Sequence, residues 1–305
     1  MSFSNVLNSF LYTVISYSTP LILCSLGGQV TQQVGRLNLG MEGMMLFSAF
    51  FSLLFTKITG SMLLGICCGC VITALIGVLI AFLNIKMGVD IFVAGLATNT
   101  LATGTVTFLI KLIAKSEGTM DLSNEVARMP NLHIPLLNKI PYLNQVLSNH
   151  NALDYTAILL VIVMAVIYKR TTLGRHIRAT GQSNWVAQSR GISVEKNVYV
   201  AYIIGSVLMA LAGAALSLPL ARCSAGSNPM TNSRGWTAMA VIILAQGNPV
   251  VVLLACWLLG ALAAVGSIGE GLGVLNTHIT YILPFVGALV MSCVYSAKQS
   301  KLEQL

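Results

Sequence analysis

Charged residues are what this sequence lacks most. Of its 305 residues, 9% are Asp, Glu, Lys or Arg, while 56% are hydrophobic. A soluble globular domain has about 25% charged residues, which cover its water-exposed surface. The composition therefore excludes a water-soluble enzyme or binding domain. It predicts an all-α polytopic membrane protein that forms a single transmembrane unit over residues 1–305.

Catalytic, nucleotide-binding and metal-binding patterns are also missing. There is no Gly-x-x-x-x-Gly-Lys-Ser/Thr phosphate loop and no His-Glu-x-x-His, and the four histidines are scattered. The cluster Cys67–Cys70 has no His or carboxylate beside it, so we interpret it as ordinary packing. We predict a chain that is not an enzyme and binds neither a metal nor ATP directly. We attribute the net charge of +8 to loop anchoring, because nucleic-acid binding does not fit this composition.

Long apolar runs are abundant, and a membrane-spanning helix needs about 20 such residues. They predict a bundle of about 9–10 transmembrane helices. The candidate spans are Val6–Gly28, Gly40–Thr56, Met62–Leu83, Ile91–Ile113, Tyr155–Tyr168, Val198–Leu218, Thr237–Leu244, Val250–Ala264 and Thr277–Tyr295.

The loops between these runs predict the orientation of the chain. Residues 169–197 are strongly basic, whereas residues 114–151 contain acids and bases in equal number apart from His. Because cytoplasmic loops carry the excess of Lys and Arg, we expect residues 169–197 to be cytoplasmic and residues 114–151 to be external. Lys86, Lys298 and Lys301 agree with this orientation, which places the N-terminus outside.

Two segments, Gly27–Gly43 and Met230–Thr237, are too polar for simple spans and too apolar for simple loops. Irregular backbone at membrane depth persists only where it is buried in protein or lines a cavity, and broken helices often mark transport sites. Glu42 is the sharpest candidate in them, with Arg36 and Asn38 as expected partners. It either lines a cavity or gate, or forms a structural ion pair and helix cap.

Other polar side chains in the apolar runs are further candidates for a solute pathway. Asn99 and Thr103 either face a solute or form hydrogen bonds between helices. Arg234 and Trp236 are placed near the outer boundary, where Trp236 is either an interfacial belt residue or a platform for solute.

The basic loop is expected to contain a short helix. Ser183 or Asn184 can cap a turn through Trp185–Gln188, and Gly191 can end it. The loop is either a docking surface for a soluble partner or a topogenic loop with an interfacial helix.

Several stretches together resemble the permeases of bacterial ABC importers in the branched-chain amino acid/ribose superfamily, and in particular its nucleoside and simple-sugar branch. The similarity covers nearly the whole chain. It lies in Thr19–Ile22, Leu26–Gly28, Val34–Met45, Ala49–Phe50, Arg170–Gly181, Ala187, Gly191–Ile192, Gly205–Gly213, Met230–Ala240 and Leu283–Phe285. The chain departs from the usual family pattern at Gln182–Trp185, at Asn232–Trp236 and at Ala245–Pro249.

The resemblance implies a multi-pass permease subunit of the bacterial inner membrane, similar to the shorter permease of nucleoside uptake systems. Its expected partners are a paralogous permease, a cytoplasmic ATPase that binds ATP and Mg, an external solute-binding lipoprotein, and membrane lipid. The basic loop then becomes the ATPase-coupling loop, with candidate residues Arg175, Arg178, Gly181, Gln182, Ser183, Trp185, Ala187 and Gly191. Alternatives are a simple-sugar or autoinducer-type permease of the same superfamily and an ion-coupled secondary transporter.

Overall fold

The structure is a helical bundle with two small β-ladders. This computed structural model describes residues 3–132, 150–271, 280, 282–291 and 293, with side chains from residue 8 onwards. The helices are α1 (Phe3–Gln33), α2 (Met41–Thr59), α3 (Met62–Lys86), α4 (Ile91–Ala114), α5 (Ala152–Arg170), α6 (Thr172–Gln182), α7 (Asn184–Ser189), α8 (Val194–Ser217), α9 (Arg234–Ala245), α10 (Pro249–Gly271) and α11 (Ile282–Met291).

Seven of the described helices are long and apolar enough to cross a membrane: α1, α2, α3, α4, α5, α8 and α10. Each overlaps a predicted run, with ends that differ by at most five residues except in α10, which continues seven residues beyond Ala264. The all-α polytopic class is therefore confirmed. The last predicted run, Thr277–Tyr295, lies partly outside the described residues, which place α11 within it.

The predicted run Thr237–Leu244 forms a short helix, α9, that begins three residues earlier than expected. Its 12 residues rise about 18 Å, which is little more than half of the roughly 30 Å hydrocarbon core. Helix α9 is therefore only about half the length of a full span, and Gly235 in its first turn is buried. The irregular segment before it ends at Ser233, which precedes the helix in a left-handed conformation with a φ of +58°.

The prediction of irregular backbone from Gly27 to Gly43 was wrong at its start. Helix α1 continues to Gln33, so the irregular part is Val34–Gly40, called here the α1–α2 junction. Gly27 lies inside the helix, where its lack of a side chain allows close contact with a neighbouring helix. A Cβ on Gly205 of α8 would lie 2.7 Å from the Gly27 carbonyl oxygen, so the two backbones touch there.

The stretch predicted as a long polar loop between α4 and α5 contains strands. Strand β1 (Thr119–Asp121) pairs antiparallel with β4 (Arg222–Ser224), which lies just after α8. Strand β2 (Asn131–Leu132) pairs with β3 (His150–Asn151). Cys223 of β4 is buried, and burial raises the pKa of its thiol to about 12. The β1–β4 pairing joins the segment after α4 to the segment before α9.

The core lies where α1, α2 and α8 meet. Leu23 and Leu26 of α1, Phe50 of α2, and Tyr202 and Met209 of α8 are fully buried. Helix α3 presents mostly apolar side chains outward and is buried chiefly at small residues such as Gly69 and Gly77. Helices rich in small residues approach closely in membranes, where van der Waals packing drives association.

Replacing Gly205 with Ala should lower stability. In a helix interior, Gly to Ala normally stabilises by up to about 1 kcal/mol. At Gly205 the added methyl meets the Gly27 carbonyl, so we expect a loss of about 1–3 kcal/mol from overpacking. Thermal unfolding of the purified chain measures the change. Gly104→Ala is the matched control, because nothing lies within 4 Å of a Cβ at that position of α4. A Gly205→Ala chain at least as stable as wild type would contradict the close contact.

Candidate functional site

The Glu42 carboxylate binds the first turn of α9. Its two oxygens accept hydrogen bonds from the backbone N–H groups of Ser233 and Gly235, at 3.0 and 2.6 Å. The first N–H groups of a helix have no partner within the helix, and the helix dipole favours an anion there. Glu42 therefore holds the start of the half-length helix against α2.

The partners expected for Glu42 were wrong, because Arg36 and Asn38 make other contacts. The Arg36 guanidinium donates to the Asn84 side chain of α3. The backbone carbonyl of Arg36 accepts from the Tyr202 hydroxyl at 3.1 Å. Asn38 is buried, and its side-chain oxygen accepts from the Gly40 N–H at 2.8 Å. Both residues thus fix the α1–α2 junction itself.

Asn99 joins α4 to the same region. Its amide nitrogen donates to the Leu39 carbonyl at 2.9 Å, and its oxygen accepts from the Gly43 N–H at 2.8 Å. Asn99 was expected either to face a solute or to form hydrogen bonds between helices, and in the structure it forms hydrogen bonds to the junction and the start of α2. The Thr103 hydroxyl donates to the Asn99 carbonyl at 3.0 Å, within α4. The junction is consequently held by α3, α4 and α8, and through Glu42 the start of α2 is joined to α9.

A cavity of about 180 Å³ lies beside the first turn of α9. Arg234 lines it, with its guanidinium carbon 5.9 Å from the centre of the Tyr17 ring and one nitrogen 3.1 Å from the Met230 carbonyl. The Tyr17 hydroxyl lies 3.3 Å from the Ser267 hydroxyl. Other lining residues include Asn232, Thr237 and Glu270.

Arg234 alone among the predicted pathway residues lines this cavity. Asn38, Glu42, Asn99 and Thr103 surround the junction, and Trp236 is half exposed on α9. The sequence analysis missed Tyr17, Ser267 and Glu270. They come from α1 and α10, which are about 250 positions apart, and no sequence spacing brings such residues together. Within the described residues, no three His, Cys, Asp or Glu side chains form a group that could hold a metal.

The basic loop folds into two helices. Helix α7 takes the predicted position: the Ser183 hydroxyl accepts from the Val186 N–H at 3.4 Å, and Gly191 follows with a φ of +76°. Helix α6 was not expected. Thr171 caps it by accepting from the Gly174 N–H, and Gly174, Ile177 and Thr180 form its buried face. Ala187 is the buried residue of α7.

The candidate coupling residues divide between the surface and the bundle. Arg175, Gln182 and Trp185 are exposed, and Trp185, at 78%, is the most exposed large apolar side chain among the described residues. Arg178 is half-buried, with its guanidinium carbon 5.2 Å from the centre of the Tyr168 ring. The outer face of α6 and α7 therefore presents Arg175 and Trp185, while Arg178 faces α5.

Gly181 connects the two helices to the junction. Its backbone packs against the end of α1, where a Cβ would collide with the Gln33 carbonyl and lie 3.0 Å from the Gly35 nitrogen. Asn197 of α8 donates to the Thr180 hydroxyl at 3.1 Å and fixes the end of α6. The Gln33 side chain in turn lies against Gly247, in the turn between α9 and α10. Gly181 is thus a direct contact between the end of α6 and the end of α1.

Sequence comparisons relate the chain to several transporter permeases. The chain is 31% identical to a putative glucose ABC transporter permease, TsgC13 of Haloferax volcanii, over 83% of this chain and 75% of that protein. It is 26% identical to the nucleoside ABC transporter permease NupC of Lactococcus lactis, over 98% and 95%. It is 28% identical to the guanosine ABC transporter permease NupQ of Bacillus subtilis, over 88% and 85%.

No solved structure shows a significant match to the chain. The sequence profile described as "Branched-chain amino acid transport system / permease component" matches residues 10–296, nearly the whole length. The predicted resemblance and the prediction of a multi-pass protein of the bacterial inner membrane are confirmed. With this match over nearly its whole length and its apolar helices, the chain belongs to the family of permease components of the branched-chain amino acid transport systems.

Proposed function

We propose that this chain is the permease subunit of an ATP-driven importer for nucleosides or simple sugars. The observation that carries the proposal is the pair α6–α7, which exposes Arg175 and Trp185 on one side and packs Gly181 against the end of α1 on the other. Such a pair can receive a force from a docked protein and pass it into the bundle. The named activities of TsgC13, NupC and NupQ support this solute class.

The proposed orientation places residues 169–197 in the cytoplasm and residues 114–151 outside, within a single permease domain. The excess of Lys and Arg near α6 and α7 supports it. A cytoplasmic ATPase that binds ATP and Mg would then dock on α6–α7, and a solute-binding lipoprotein on the opposite end. A paralogous permease would complete the membrane part. These partners are those that the family resemblance implies.

The proposed mechanism is a shift between two conformations of the bundle. The ATPase can change their populations only by binding one of them more tightly. Movement of α6 would displace the end of α1 through Gly181, and the junction would carry the displacement to Glu42. Because Glu42 holds the first turn of α9, that turn and the cavity at Arg234 would move together. Glu42 would thus act as a structural cap with a role in gating.

Uptake experiments test the solute and the energy source. Transport of a radiolabelled nucleoside should depend on the partner ATPase and should fall when unlabelled substrate of the correct class competes. Nucleosides, free bases and sugars are compared as competitors. Competition by sugars alone would favour the simple-sugar alternative. Accumulation against a gradient without the ATPase, abolished by an ionophore while ATP remains, would instead establish an ion-coupled secondary transporter.

Changes on the outer face of α6–α7 should uncouple ATP hydrolysis from transport. We expect Arg175→Glu and Trp185→Asp to weaken co-purification of the ATPase and to reduce uptake about tenfold or more, as for loss of an interface hot spot. Membrane insertion should be unchanged, because both side chains are exposed. Arg178→Glu is less informative, since it also removes the contact with Tyr168. Arg128→Glu, an exposed change near β2, is the control. Undiminished co-purification in both variants would exclude this docking surface.

Replacing Glu42 with Gln should weaken the start of α9. The amide keeps the shape but loses the charge and one acceptor, so we expect a loss of about 1–3 kcal/mol in stability and slower uptake per folded chain. Thermal unfolding and uptake, each normalised to folded protein, measure the two effects. Glu195→Gln is the control, because the exposed pair of Glu195 and Lys86 contributes little. Full uptake by a stable Glu42→Gln chain would remove Glu42 from the mechanism.

A further inference from the structure

A second cavity, of about 360 Å³, lies where α5 meets α6, beside the end of α1 and the turn between α9 and α10. Its lining combines cationic, amide and phenolic groups, and none of its lining residues is acidic. In the part of the chain that the structure describes, neither of its two cations takes part in an ion pair. The residues that define its chemistry are Gln33, Tyr168, Lys169, Arg178, Gln182 and Asn248.

Tyr168 gives this cavity a donor without an acceptor. The side chain is 2% exposed, and among the described residues its hydroxyl has no hydrogen-bond partner. A buried polar group without a partner costs free energy, so such a group usually has a ligand that the protein itself does not supply. Arg178 lies over the same ring, and Lys169 is the next residue of α5. Together these groups suit a phosphate oxygen.

An apolar groove of about 720 Å³ continues from the cavity along α10, between α9 and α11. The cavity and the groove share Gln246 and Asn248. From Asn248 to Leu258 the groove follows α10 for about 15 Å, which is half of the roughly 30 Å hydrocarbon core and so the depth of one leaflet. Its walls are formed chiefly by Leu244, Val251, Leu254, Leu258, Val290 and Met291.

We propose that the cavity and the groove together bind one anionic phospholipid of the surrounding membrane. Its headgroup phosphate lies between Lys169, Arg178 and the Tyr168 hydroxyl, and an acyl chain follows α10. A soluble anion would leave the groove unused, and an apolar helix of another subunit would leave the two cations uncompensated. A phospholipid is the ligand that satisfies both parts, and basic pockets between membrane helices are known to take anionic headgroups.

This site has a consequence for movement. Arg178 and Gln182 belong to α6, whereas Gln246 and Asn248 belong to the turn between α9 and α10. A bound lipid would connect these elements and restrain the movement of α6 relative to α9. The proposed orientation places the lipid in the inner leaflet, but its binding requires neither ATP nor a transported solute. Lipid binding and transport can therefore fail independently.

Native mass spectrometry tests the headgroup contacts. The full-length chain, with any subunits that accompany it, is purified from membranes and exchanged into nanodiscs of phosphatidylcholine with 10% phosphatidylglycerol. We expect wild type to retain phosphatidylglycerol on release, and Lys169→Gln to retain about fivefold less. Tyr168→Phe removes only the hydroxyl and should also reduce retention. Arg170→Gln is the matched control, because Arg170 is the adjacent exposed cation of α5 and does not line the cavity.

Filling the groove tests the acyl-chain contacts. Leu258→Trp should reduce lipid retention, whereas Leu79→Trp on α3 should not, although both leucines are 51% exposed. Equal retention by Lys169→Gln and Arg170→Gln would overturn the proposal. The proposal would also be overturned if inorganic phosphate displaced the bound species and Leu258→Trp had no effect. That result would indicate a site for soluble anions. Absence of retained lipid in wild type would also overturn the proposal and would leave the groove as a contact with another subunit.

Discussion

The arrangement depends on one carboxylate that satisfies a helix end inside the bundle. The first backbone N–H groups of a helix have no acceptor within the helix. Glu42 accepts from two N–H groups at the start of α9, and the helix end in turn favours an anion there. If either side were removed, the other would lose these hydrogen bonds. The carboxylate and the half-length helix therefore require each other.

The α1–α2 junction fixes the start of α2 and so the position of Glu42. The seven residues of the junction make hydrogen bonds to side chains of three helices. Helix α1 packs on α8 up to the junction, and Gly181 packs on its last turn. The chain therefore has a continuous set of contacts from α6 through the end of α1 and the junction to the first turn of α9.

Local signals in the sequence were sufficient for much of the fold. Apolar runs gave the long helices, because burial in lipid requires length and composition more than precise partners. The cap at Ser183 and the end at Gly191 gave α7, because both depend on neighbouring residues. Helix α6 was missed although its buried face, Gly174, Ile177 and Thr180, recurs at helical spacing among polar and basic residues. Its sequence is short and basic, so it was interpreted only as part of a charged loop.

Contacts between distant residues could not be predicted. Glu42 and Ser233 are 191 positions apart, so the expectation of nearby partners such as Arg36 was reasonable locally and wrong globally. The cavity at Arg234 likewise combines α1, α9 and α10. Spacing within one segment indicates which side chains share a face, but it does not indicate which other segment meets that face.

The shortness of α9 bears on how the chain is assembled during synthesis. Twelve residues do not form a stable span by themselves, and the start of α9 has no acceptor for its N–H groups until α2 is in place. Helices α1 and α2 are made earlier and form much of the surface on which α9 rests. The order of translation therefore matches the order in which the binding site of α9 becomes available.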